Sequence, residues 1–186
     1  MQSIAKSHIA LLRGINVGGK NKLPMKDLAR MFVEVGCHDV RTFIQSGNVI
    51  FSADSEVILL VRDRIVKQIA MRYQYQTSLI LRTVADLDAI VSSNPFLERA
   101  VRQDDLHVLF LADIPESSAV SRLDPNHSPP DEFELCGREI YLRLPNGAGK
   151  TKLTNAYFDS RLATTSTGRN WRTTTKLLEL AREQRE

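Results

Sequence analysis

The stretch Val40-Arg41-Thr42-Phe43-Ile44-Gln45-Ser46-Gly47-Asn48-Val49-Ile50-Phe51-Ser52 decides the fold of this chain. Val40 to Ile44 reads as a strand rich in β-branched and aromatic residues, Ser46-Gly47-Asn48 as a compact turn, and Asn48 to Ser52 as the returning strand. Two strands joined by so short a turn must run antiparallel. Upstream, His8 to Arg13 reads as a strand ending at Gly14. A helix then follows Pro24, with Leu28, Met31, Phe32 and Val35 on its apolar face and Gly36 as its stop. Downstream, a second helix spans Ser55 to Met71 with Val57, Leu60, Val61, Ile65 and Ile69 directed inward, and Ser78 to Arg82 supplies a fourth strand. The order is β-α-β-β-α-β, the split arrangement that sets both helices on one side of a four-stranded antiparallel sheet.

The same order recurs further along. After a helix from Thr83 or Ala85 to Val91 and an Asn94-Pro95 turn, Leu106 to Ala112 is a buried strand and Glu116 to Leu123 a short helix or turn. The Pro-rich segment Asp124 to Pro130 is a surface loop. Asp131 to Cys136 and Glu139 to Leu144 form a hairpin across Gly137. A helix from Thr151 to Leu162, a strand within Ala163 to Thr167, and a last helix from Thr173 or Thr174 to Glu183 complete the pattern. The expectation is an α+β fold of two ferredoxin-like split β-α-β-β-α-β repeats with antiparallel sheets: residues 1–82, a helical connector 83–105, and residues 106–186. The two sheets either stay separate or pair through their edge strands.

With 42% apolar and 25% charged residues, the 186-residue chain has the balance of an ordinary globular protein and length enough for a sizeable core. No apolar run is long enough to cross a bilayer, and residues 1 to 7 hold one lysine and no apolar stretch of the kind a secretory leader needs. A cytoplasmic protein with no membrane partner is expected. Cys37 and Cys136 are expected as free thiols in a reducing compartment. The four histidines, His8, His38, His107 and His127, lack metal-ligand spacing, so neither a metal nor a cofactor is expected. The net charge of +3 conceals a basic–acidic–basic order: +6 over residues 1–82, −8 over 83–136 and +5 over 137–186. That order suits either a basic face for phosphate or nucleic acid, or two basic segments packed on an acidic one.

Four segments concentrate unusual chemistry. Gly14 to Asn21 reads GxxxxGKN, one residue from a phosphate loop, but Asn21 offers an amide where a nucleotidase needs a hydroxyl, and Asn21-Lys22-Leu23 separates the loop from its helix. Arg13, Gly18, Gly19 and Lys20 still fit an anion seat, as they fit a structural turn. Gly147-Ala148-Gly149-Lys150-Thr151 imitates the same motif, yet its opening glycine falls on Leu144 and hairpin-rich order denies it a parallel sheet. Lys150, Lys152 and the helix start beyond them are retained as a second anion seat. Gln45, Ser46 and Asn48 are either turn-capping residues or a hydrogen-bonding lip. Finally, Arg169, Asn170, Trp171 and Arg172 either clamp phosphate and stack a ring, or staple the last helix to the core. No paired carboxylates sit at a spacing that also matches a histidine or metal ligand.

The blocks ALLRGINVGGKNKLPM, FIQSGNVIF, EIYLRLPNGAGKTKLTNAYF and RNWRTTTKLLEL, in this order, resemble the bacterial family called domain of unknown function 1697. The resemblance runs over nearly the whole chain. It implies a small α+β protein with ferredoxin-like repeats and implies no activity. The family's polar positions fall here on Arg13, Asn16, Gly18, Gly19, Lys20, Gln45, Ser46, Gly47 and Asn48, and then on Lys152, Asn155, Arg169, Asn170, Trp171 and Arg172. The threonines from Thr164 to Thr167 and Gly168 lengthen the usual approach to RNW.

The functional expectation is an anion-binding or phosphate-ligand-binding module, with Arg13, Lys20, Gln45, Asn48, Arg169 and Arg172 drawn to a basic cleft between the repeats. The partner would be a phosphate-containing small molecule, or the ends of nucleic acid. An enzyme acting on a phosphorylated small molecule, and a nucleic-acid-binding or structural interaction protein, are the alternatives. Sequence leaves the oligomeric state open.

Overall fold

The computed structural model describes residues 6–99 and 101–184; residues 1–5, the greater part of the segment read as carrying no leader, lie outside them. The chain divides into two compact units, one made of the residues up to Asp88 together with those from Lys176 on, the other of Ala89 to Thr175. Each unit holds one four-stranded antiparallel sheet.

In the first unit the elements run β1 (Lys6–Leu12), α1 (Met25–Val35), β2 (His38–Phe43), β3 (Asn48–Ala53), α2 (Ser55–Tyr73) and β4 (Leu79–Thr83), and the sheet order is β2-β3-β1-β4. Local chemistry sets the helix ends. Pro24 precedes α1 in an extended conformation, and Gly36 ends it at φ 105°. There the Gly36 amide donates to Val33 and the Cys37 amide to Phe32, satisfying carbonyls that the helix leaves open. Asp54 caps α2 by accepting from the Val57 amide at 3.0 Å. Met25, Leu28, Met31, Phe32 and Val35 of α1 and Val61, Ile65 and Ile69 of α2 bury one face of the sheet. Phe32 meets Phe51 with ring centroids 5.0 Å apart. Leu60, expected inward, is instead 42% exposed. The inward stripe passes through Val57, Val61, Ile65 and Ile69, and Leu60 lies about 100° from Val61 around the helix.

β1 is buried on both faces after its first residue. Gln184, just beyond α6 (Trp171–Glu183), belongs to this unit; its Nε2 donates to the Asp39 carbonyl at 2.8 Å, and Glu183 pairs with Arg41.

The second unit repeats the scheme with β5 (Leu106–Leu111), α4 (Ser117–Val120), β6 (Glu132–Cys136), β7 (Glu139–Arg143), α5 (Asn155–Leu162) and β8 (Ser166–Asn170), in sheet order β6-β7-β5-β8. The first crossover helix has shrunk to the single turn of α4, because the Pro-rich segment that follows cannot continue a helix. Leu109, Leu111, Ile140, Leu142, Phe158 and Leu162 lie in the core between the sheet and α5.

Three boundaries depart from expectation. α5 starts at Asn155 rather than Thr151, because the Thr154 hydroxyl takes the cap position, accepting from the Tyr157 amide at 3.2 Å. β8 lies at Ser166–Asn170, later than Ala163 to Thr167, since Ala163 still closes α5 in a left-handed conformation. The last helix, α6, begins at Trp171. Between the repeats runs α3 (Val84–Ser92), opened by a reciprocal capping box: the Asp86 amide donates to Thr83 Oγ1 at 3.0 Å and the Thr83 amide to Asp86 Oδ2 at 2.8 Å. Among the described residues, no helix is long and apolar enough to cross a membrane.

Candidate ligand pocket

Strand register gathers the second unit's polar pocket. His107 opposes Leu142 on β7 and Asn170 on β8, while Leu109 opposes Ile140 and Gly168. Alternation along a strand then sets His107, Leu109, Leu142, Gly168 and Asn170 on the face that also carries α5. Beyond the sheet edge, the loop from Leu144 to Thr154 folds over this face. Together they enclose a cavity of about 360 Å³, whose wall includes Ala148, Thr151, Leu153, Thr154 and Asn155. Leucines form its apolar part, and hydroxyls, amides, one imidazole and Arg169 its polar part. Among the described residues, no carboxylate side chain lines it.

The polar groups are held by specific partners. Asn155, the first residue of α5, donates from Nδ2 to Ser166 Oγ at 2.8 Å, and Ser166 donates to Asp159 Oδ1 at 2.7 Å. Ser166 is fully buried. Asn170 Oδ1 accepts from the Thr173 amide at 2.8 Å, capping α6 and leaving its Nδ2 a donor. His107 Nδ1 stands 3.4 Å from the Asp105 carbonyl. A carbonyl only accepts, so the proton of the neutral ring sits on Nδ1 and Nε2 is an acceptor. Burial holds the His107 pKa below the usual histidine value, against the smaller opposing pull of the Asp105 carbonyl and carboxylate. Thr151 Oγ1 accepts from the Leu153 amide at 2.9 Å, and the loop is tied back where the Lys152 amide donates to Ser128 Oγ at 3.0 Å.

Of the residues singled out in the second unit, Asn155, Arg169 and Asn170 line this cavity, and Lys150 and Lys152 are exposed on the loop that walls it. Arg169 contributes to the wall while its guanidinium is held elsewhere. It pairs with Val108, so its side chain points to the other face of the sheet, where Nη1 donates to Thr167 Oγ1 at 2.9 Å and to the Gly168 carbonyl at 2.7 Å. Arg169 is 8% exposed, and burial draws its pKa down to about 10, which leaves it protonated at neutral pH. Trp171 is buried at the first position of α6, whereas Arg172 is exposed, with Asp104 3.7 Å away.

In the first unit, the marked residues build a knot of turns. Asn16, in a left-handed conformation at φ 55°, donates from Nδ2 to the carbonyls of Leu23 at 2.9 Å and Gln45 at 2.8 Å, and its Oδ1 accepts from the Leu23 amide at 2.8 Å. Asn48 is buried and donates to the Phe43 carbonyl and to Ser46 Oγ. The Arg13 backbone is bracketed by Thr77 Oγ1, which donates to its carbonyl, and by the Ser78 carbonyl, which accepts from its amide. Gly18 and Gly19 have positive φ and open space where a Cβ would stand, and Lys20 and Gln45 are exposed.

A counterpart cavity of about 330 Å³ occupies the matching place in this unit, lined by Lys6, His8, Ala53, Asp54, Ser55, Ile58 and Thr83. His8 opposes Thr83 as His107 opposes Asn170, and Thr83 and Asn170 each cap the helix that follows. The matching helix caps, Asp54 and Thr154, differ in charge, so an anion would meet a carboxylate, beside Lys6, in the first cavity and a neutral hydroxyl in the second. Histidine spacing is a test for metals and passes over His107. The signal it carries in sequence is a polar residue at the second position of the buried run Leu106 to Leu111.

The sequence model of a family described as a protein of unknown function, DUF1697, matches residues 5–141. Among solved structures, the conserved bacterial protein SP0830 from Streptococcus pneumoniae is similar over 95% of this chain and 99% of its own, with 24% identity and a TM-score of 0.69. At that identity the likeness concerns the fold. No curated protein matches the chain.

Proposed function

The chain belongs to the DUF1697 family of proteins of unknown function, and we propose that it is a small-molecule-binding module whose ligand carries a phosphate or carboxylate and sits in the cavity of the second unit. The observation that carries this reading is the make-up of that cavity. It has the size and the mixed lining of a ligand pocket, with an apolar body and a few converging polar groups. Leu109, Leu142, Leu144 and Leu153 would take the ligand's apolar part. The anion would lie by the first turn of α5, where the helix presents its positive end and its leading amides. Lys150 and Lys152, carried on the adjoining loop, add long-range attraction, and the absence of lining carboxylates removes the main source of repulsion. The counterpart cavity lacks this last property because Asp54 lines it.

Titration of the full chain with propyl phosphate, followed by amide and imidazole chemical shifts at low and at physiological salt, tests the reading. Saturable shifts concentrated at His107, Asn155 and Gly168, weaker at higher salt, are expected. Shifts that never saturate, or that gather around Gly18 to Lys20 instead, overturn it.

A further inference from the structure

We infer that the ligand presents a hydrogen-bond donor beside its anionic group, as a sugar phosphate does, and that the Asn155 carboxamide reads this donor through its Oδ1. The inference rests on the binding reading given above and narrows it to hydroxylated phosphate esters.

The orientation of Asn155 follows from its neighbours. The Asp159 carboxylate only accepts, so Ser166 gives its single hydroxyl proton to Oδ1 of Asp159. Ser166 Oγ can then only accept from Asn155, which fixes Nδ2 on the Ser166 side and turns Oδ1 away from it. The amide orientation is thus dictated by a carboxylate two hydrogen bonds away. Oδ1 stands over the cavity wall at Gly168, 3.9 Å from where a Cβ on that glycine would lie. It accepts no hydrogen bond from any described residue, although Asn155 lines the cavity. A locked, unfilled acceptor in a partly apolar site favours a ligand that fills it and penalises one that strands it. His107 adds a second acceptor at Nε2 in the same cavity, its neutral form favoured by burial. Two acceptors in one pocket select for O–H or N–H groups. Ser166 and Asp159 are positioning residues here, acting through Asn155.

Calorimetric titration of the full chain with ribose 5-phosphate and with propyl phosphate decides the matter. The sugar phosphate is expected to bind about tenfold more tightly, the worth of one satisfied acceptor. In Asn155→Leu this preference disappears, read as the ratio of the two ligands' affinities within the variant, so that any change common to both ligands drops out. In Asp159→Asn the lock is released, since the introduced carboxamide can donate to Ser166 and the amide of Asn155 is free to turn. The preference then falls toward that of Asn155→Leu, an effect that a merely structural role would not produce. Equal binding of the two ligands to the unaltered chain overturns the inference and leaves the anion reading standing, whereas binding of neither removes the anion reading as well. Full preference retained in both variants also overturns it. Should a variant fail to fold by circular dichroism, the two ligands on the unaltered chain decide alone.

Discussion

Asn16 and Gln45 are 29 residues apart in sequence, yet the Asn16 amide donates to the Gln45 carbonyl at 2.8 Å. The same side chain brackets Leu23 through both its amide and its carbonyl. One asparagine therefore joins the glycine loop, the approach to α1 and the β2–β3 turn. Its left-handed backbone is one that asparagine tolerates better than most residues. These bonds give Asn16 a turn-building role within the loop that resembles a phosphate motif.

Asn16→Ala removes three hydrogen bonds and leaves the buried Leu23 amide without its acceptor, so a loss of about 2–3 kcal/mol is expected. The urea midpoint should fall with an unchanged slope. A shift equivalent to less than about 0.5 kcal/mol would show that the loop holds its shape without this residue.

The glycines of the two turns should respond differently to the same change. A Cβ at Gly47 would stand 2.8 Å from Leu12 Cβ and 3.0 Å from Ile15 Cγ1, at φ +74°. These atoms lie close to their own backbones and cannot swing aside. Gly47→Ala is expected to cost about 3 kcal/mol or more, overpacking and backbone strain together. At Gly19, with φ +75° and nothing within 4 Å, strain acts alone and about 1–2 kcal/mol is expected. Equal midpoint shifts for the two variants would contradict the packing account.

The legibility of this chain follows the range of the interactions involved. α1 and the Gly47 turn are written in neighbouring residues, and sequence reads them well. α5 is harder because Thr151 and Thr154 are both able to cap a helix. Thr151 instead accepts from Leu153 two residues on, a choice that the loop's anchoring at Ser128 accompanies. β8 reads Ser-Thr-Gly-Arg-Asn, a poor strand by propensity, and its conformation comes with its pairing to β5. The pocket is the least legible feature. Its lining comes from three strands, a loop and a helix start, so no local window contains it. Arg169 is hard to place for a related reason: the parity of a register, set by β5, sends its guanidinium to the other face of the sheet from Asn170, although the residue still forms part of the cavity wall.

His107 makes the second unit sensitive to acid. Its folded pKa is depressed, so the unfolded chain binds the proton more readily. Stability is therefore fully present above the unfolded value near 6.5 and declines as pH falls below it, toward the lower folded value. Denaturation midpoints should drop between pH 7.5 and 5.5, and His107→Gln should flatten that part of the profile. An unchanged pH slope in the variant would assign the decline to other groups. Phosphate in the pocket opposes this effect by favouring the imidazolium. Propyl phosphate itself takes up a proton over this interval, so the contribution of His107 is read as a difference: acidification should weaken binding less in the unaltered chain than in His107→Gln, and identical pH dependence in the two would remove His107 from the anion's surroundings.

Gly168 offers the sharpest separation of binding from stability. A Cβ added there would stand 2.8 Å from Leu109 Cδ2, the far end of a side chain that lines the cavity. Leu109 can relieve the contact by moving, but the space open to it is the pocket itself. Gly168→Ala should cost about 1–2 kcal/mol in stability and weaken propyl phosphate binding at least ~10-fold. Gly137→Ala in the β6–β7 turn is the matched control. Its φ is +61° with nothing within 4 Å of the added Cβ, so it carries a strain cost of about 1–2 kcal/mol far in sequence from every lining residue. Calorimetry on both variants, each checked by urea unfolding, should find binding lost in the first and kept in the second. Comparable binding in the two would place the ligand outside the cavity beneath α5.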